Sequence, residues 1–97
     1  KVRVSGSHKQ HYSPQAKVVI DGTAQPGEAL IALSDVETPE GVIRLAAPNS
    51  IEEFARTLYA ALRDADQQGI SIIHIQPPQG NGLAIAIRDR ITRAASA

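Results

Sequence analysis

The sequence predicts a small α/β domain, with a mainly parallel sheet and flanking helices, preceded by an irregular linker. Three observations carry this reading. Short aliphatic runs separated by turn signals fill residues 16–47, and one long amphipathic helical pattern lies between two such runs. The apolar residues, 42% of 97, are nearly all Ala, Ile, Leu and Val, with Phe54, Tyr12 and Tyr59 as the only aromatics. Aliphatic side chains of this kind pack as the layers of an α/β sheet. A chain of this length suits one domain, burying roughly 60 to 70% of the surface that its unfolded form exposes.

Residues 1–15 are rich in Ser, Gly, Lys, Gln and His and follow no period of 2 or 3.6, so they read as the linker, with Pro14 closing it. Residues 16–97 read as the domain. AKVVI at 16–20 is a β-branched strand followed by the turn formers DGT and PGE, and ALIAL at 29–33 is a second strand. The eight residues between them fall short of the dozen or more that a crossover between parallel strands usually needs. These two strands are therefore expected either antiparallel or joined by a crossover without a helix. VIRLAA at 42–47 is a third strand.

Ser50, with Glu53 three residues on, makes a capping box, and Gly69 supplies a left-handed stop. Between them Ile51, Phe54, Ala55, Leu58, Ala61, Leu62 and Ala65 share one helical face. ISIIHI at 70–75 is apolar enough for a central strand covered on both faces, and the strand-helix-strand unit from Val42 to Ile75 is expected to be a right-handed parallel crossover. LAIAIRDRITRAAS from Leu83 is a second helix, with Leu83, Ile87, Ile91 and Ala94 inward and Arg88, Arg90 and Arg93 mostly outward.

Ten basic and ten acidic side chains give zero net charge, which argues against direct nucleic-acid binding. Lys1, Arg3, Lys9 and Lys17 nevertheless precede the first acid, Asp21, so the N-terminal fifth is basic: either a hint of an anionic partner or a solvated tail. Without Cys there is no disulfide framework and no thiolate chemistry. No apolar run reaches the roughly 20 residues of a membrane span and the N-terminus has no signal core, so a cytoplasmic, membrane-free protein is expected. The lack of any Met, position 1 included, reads as a piece of something longer.

No complete active site emerges. GNGLAI at 80–85 follows a strand and opens a helix, yet it lacks the third glycine of a dinucleotide fingerprint and the lysine of a phosphate loop. His8, His11 and His74 have no acidic or thiol companions at metal-ligand spacing, and His74, among isoleucines, reads as a hydrogen-bonded sheet residue. Asp64 with Asp66, and Glu52 with Glu53, diverge around the helix axis and read as a solvated face. Ser5, Ser7 and Ser13 have no rigid base beside them. What stands out is VSGSHKQHYSP, a flexible stretch with cations, hydrogen-bonding groups and one aromatic ring.

That stretch carries a resemblance. Ser5-Gly6-Ser7-His8-Lys9-Gln10-His11-Tyr12-Ser13-Pro14, followed by a strand, resembles the linker of long-form threonylcarbamoyl-adenylate synthases, with Ser13 where the family usually has Ala. FARTLYAALRDADQQGISIIHIQPP and GLAIAIRDRITRAAS resemble two later segments of the same family in the same order. The family usually carries a helix where residues 23–28 read TAQPGE.

The resemblance implies a Rossmann-like C-terminal accessory domain beside an N-terminal YrdC-type catalytic domain that this chain does not include. It implies a parent enzyme that converts L-threonine, bicarbonate and ATP, with Mg2+, into threonylcarbamoyl-AMP and diphosphate for N6-threonylcarbamoylation of adenosine 37 in tRNA. It further implies that the linker passes over the catalytic cavity, so that Tyr12, His11 and Ser5 are the candidates for nucleotide or lid contact, and that the domain itself holds no catalytic residue, metal or cofactor. The competing reading is a non-enzymatic ligand-sensing or protein-docking α/β module.

Overall fold

A computed structural model describes residues 12–96 of the chain. Four strands and two helices follow in the order β1 (Lys17–Ile20), β2 (Ala29–Ile31), β3 (Ile43–Ala46), α1 (Ile51–Gln68), β4 (Ile72–Ile75) and α2 (Leu83–Ser96). The strands form one sheet in the spatial order β1-β4-β2-β3, and every neighbouring pair is parallel. The open question of the first two strands is thereby settled: they are parallel, separated by β4, and joined by a crossover without a helix.

The helix signals act where the sequence places them. Ser50 is extended, its hydroxyl accepts from the Glu53 N–H at 3.1 Å, and the Glu53 carboxylate reaches back to the Asn49 N–H. At the other end Gly69 takes φ +73, where a side chain would be strained, and its N–H and that of Ile70 close onto the carbonyls of Asp66 and Ala65.

Alternation along the strands sorts the side chains onto two faces. Val18, Ala29, Ile31, Ile73 and Ile75 join Phe54, Leu58, Leu62, Ile87 and Ile91 in a single core, so both helices cover one face. One residue differs from its expected place: Leu83 is 39% exposed, while Ala84 is fully buried. The buried stripe of α2 runs through Ala84, Ile87, Ile91 and Ala94; Leu83, the first residue of the helix, lies at the edge of that stripe, about 100° around the axis from Ala84.

The opposite face carries Leu30, Arg44 and His74, and loops cover it. His74 Nδ1 meets the Asp21 carbonyl at 3.2 Å and Nε2 meets a Glu28 carboxylate oxygen at 2.8 Å, so one ring ties down both ends of the 21–28 crossover. Gly22 sits directly against this ring, and its φ of +72 favours glycine. Arg44 donates to the carbonyls of Ala32, Leu33, Val36 and Ala46 and to the Thr38 hydroxyl, and so pins the β2–β3 loop. The chain thus moves from β1 toward β3 over the loop face and returns to β4 through α1 on the helix face. Opposite directions on opposite faces give both crossovers the same hand.

Candidate functional site

Two places on this scaffold gather groups that the fold does not otherwise need. The first is where the linker enters. Asp66 stands in the last turn of α1, a position where a negative charge opposes the helix dipole. Its carboxylate accepts a hydrogen bond from the Tyr12 hydroxyl, one from the Gln15 N–H at 2.9 Å and a longer one from the Ala16 N–H at 3.4 Å. The Tyr12 ring also rests against the core. By accepting the hydroxyl's hydrogen bond, Asp66 holds the Tyr12 phenol above its ordinary value of 10, with partial burial acting the same way. Pro14 adds stiffness, since it restricts Ser13 to extended conformations.

Tyr12 is packed against the domain, because its ring supplies apolar area and its hydroxyl meets a charge-assisted acceptor. Asp66, read from sequence as part of a solvated helix face, is the acceptor. Asp64 keeps the expected role, bonding, among the described residues, only Gln68 on the same helix. His11 and Ser5, the other two lid candidates, lie outside the described residues.

The second place is the carboxyl edge of the sheet. A crevice of about 320 Å³ there is lined by Asp21 at the end of β1, Leu33 and Val36 after β2, and residues 76–79 after β4. A smaller hollow of about 110 Å³ shares Gln76 with it and adds Glu37. Sequence reasoning missed this site, since its residues come from three separate loops and form no local motif. The one available signal was the cluster of turn formers after each of those strands.

The remaining motifs resolve into structure. GNG at 80–82 is a tight turn in which Ala84 N–H bonds Asn81 and Ile85 N–H bonds Gly82. His74 is 7% exposed and hydrogen-bonded within the fold. Among the described residues no three His, Cys, Asp or Glu side chains converge as metal ligands. No described helix is long and apolar enough to cross a membrane.

Glu28 gives a pH signature. The Gln25 N–H first, and His74 second, hold its carboxyl below the ordinary value of 4.5. A depressed carboxyl contributes stability above its unfolded value, and that contribution is lost as pH falls through the folded value. Amide exchange across residues 21–28 should therefore accelerate below about pH 4.5, and Glu28→Gln should flatten the response by removing the titrating group. An unchanged pH profile in that variant would show that Glu28 does not hold the crossover.

Comparison with known proteins agrees with the geometry. The family model for the C-terminal domain of threonylcarbamoyl-AMP synthase matches residues 1–96. The threonylcarbamoyl-AMP synthase of Pyrococcus abyssi (strain GE5 / Orsay) is 29% identical over 107 residues, covering 95% of this chain and 32% of the relative. The crystal structure of P. abyssi Sua5 complexed with L-threonine superposes with a TM-score of 0.68 at 24% identity, covering 89% of this chain and 30% of that one, which supports the fold. The chain thus spans about a third of the length of these proteins. A family match along nearly its whole length, on a sheet and two helices in the order the sequence implies, places the chain in the family of threonylcarbamoyl-AMP synthase C-terminal domains.

Proposed function

We propose that this domain is the anchor for a lid in a two-domain threonylcarbamoyl-AMP synthase. In this reading a YrdC-type catalytic domain binds ATP with Mg2+, L-threonine and bicarbonate, and residues 1–15 run from it to the present domain. Tyr12 fixes the near end of the lid, while His11 and Ser5, further along, contact the nucleotide. A threonylcarbamoyl-adenylate is a mixed anhydride and hydrolyses readily, so a segment that keeps water from it protects the product. The product then serves tRNA adenosine-37 modification without direct RNA contact by this domain, in the cytoplasm.

The observation that carries the reading is the convergence on Asp66 of two linker donors, the Tyr12 hydroxyl and the Gln15 N–H, beside the Ala16 N–H that opens the domain. An aspartate in the last turn of a helix is locally unfavourable, so Asn there should not weaken α1. It does exchange charge-assisted hydrogen bonds for neutral ones, a loss of about 1 kcal/mol or roughly 5-fold in linker docking. Asp66→Asn in the full-length protein should therefore lower kcat/KM for ATP by about 3- to 10-fold with an unchanged melting temperature. Diphosphate release at the wild-type rate in that variant would remove the anchor role.

A further inference from the structure

The connections that leave β1 and β4 part company at the carboxyl edge of the sheet. The one from β1 crosses the face of His74, and the one from β4 turns to α2 on the helix face. Adjacent parallel strands whose connections diverge in this way leave a crevice between them, and open α/β sheets bind ligands there. The 320 Å³ crevice occupies this point and falls at the small end of the range for small-molecule sites.

Its walls are held rigid. Each of the three loops that form them is fixed by a separate basic side chain: His74 holds the loop after β1, Arg44 the loop after β2, and Arg88 the loop after β4 through the carbonyls of Pro78 and Gly80 at 2.8 and 2.9 Å. Loops pinned individually make a preformed site, which binds without an ordering cost. Asp21 supports the same conclusion. It is the sole described non-glycine residue with positive φ, at +61, held by its N–H on the Ile75 carbonyl and its own carbonyl on His74. Backbone strain of this kind concentrates at functional sites.

The polar groups facing the crevice are left over from the fold. Asp21, Gln76 and Gln79 line it, and none of their three side chains has a hydrogen-bond or ionic partner among the described residues. Leu33, Val36 and Pro77 supply apolar surface beside them. No Lys, Arg or His lines either this crevice or the hollow next to it, where Glu37 adds a second carboxylate. Such a lining disfavours phosphates and carboxylates and favours a cationic donor.

We propose that this crevice binds a small organic cation, a primary ammonium on a short aliphatic body. The ammonium donates to Asp21, the carboxamides of Gln76 and Gln79 take its remaining polar contacts, and the aliphatic part lies on Leu33, Val36 and Pro77. The site is independent of the lid and of the catalytic reading.

Calorimetric titration of the full-length protein with n-butylamine, N-butylacetamide and butyrate tests it. Butylamine should bind saturably with a Kd in the millimolar range or tighter, and the uncharged amide and the anion should not bind. Asp21→Asn preserves a residue that tolerates left-handed backbone while removing the charge, and should weaken butylamine at least 10-fold. Gln79→Ala, at an exposed position where folding is not at stake, should weaken it about 3- to 10-fold. No saturable binding of butylamine, undiminished affinity in either variant, or equal binding of the amide would overturn the proposal.

Discussion

Leu58→Ala and Ile73→Ala should each lower the unfolding free energy by about 2–5 kcal/mol. Both side chains are almost wholly buried, Leu58 on the inner face of α1 and Ile73 on the central strand β4, and they belong to one core cluster. Truncation removes transfer free energy and leaves a cavity that stiff neighbours such as Phe54 and Ile75 fill poorly. A domain of this kind has roughly 5–15 kcal/mol in all, so either change brings it close to unfolding. Ile85→Ala is the control: at 52% exposure, that side chain should alter stability by less than about 0.5 kcal/mol. Urea midpoints measure all three. A loss below about 0.5 kcal/mol for Leu58 or Ile73 would contradict the placement of that residue in the core between the helices and the sheet.

Tyr12→Ala in the full-length protein should reduce kcat/KM for ATP by about 5- to 150-fold, corresponding to roughly 1–3 kcal/mol. The hydroxyl bond to the Asp66 carboxylate is charge-assisted, which sets the upper part of that range, and its partial exposure draws the value down. Tyr12→Phe separates the two roles that the ring could serve. If the hydroxyl anchors the linker on Asp66, Phe should behave much like Ala; if the ring stacks on adenine, Phe should retain most activity. Double substitution with Asp66→Asn adds a second check, because partners in one bond give non-additive losses. Full additivity of the two changes, or wild-type kinetics in Tyr12→Ala, would refute the anchoring of the linker through this pair.

The elements of the fold were legible because their signals are local. Ser50, Glu53 and Gly69 mark the ends of α1, and the isoleucines of 70–75 mark the central strand. The direction of β1 against β2 was not legible, since it depends on His74 reaching over to Glu28, a contact across 46 positions in sequence. Arg44 was similarly silent. A single arginine in an apolar strand reads as an edge residue, and only the folded loop reveals the carbonyls it binds. The linker was recognisable by its residue order, whereas Asp66 looked like any exposed helix acid. Its neighbour Asp64 has the same chemistry and differs only in facing 200° away around the axis.

The position of β4 between β1 and β2 governs the order in which the domain can assemble. As the chain leaves the ribosome, β1 emerges ahead of the other described strands yet has no partner until residues 72–75 appear, because among the described residues β4 is the only strand it pairs with. Until then β2 and β3 alone can associate, as a two-strand fragment of marginal stability. Closure requires the last strand to insert between two earlier ones, a high-contact-order step that slows folding and leaves the edge of β2 exposed to stray pairing meanwhile. The domain therefore folds as an all-or-none unit near the end of its synthesis, and a nascent chain stalled before Ile72 should remain protease-sensitive throughout.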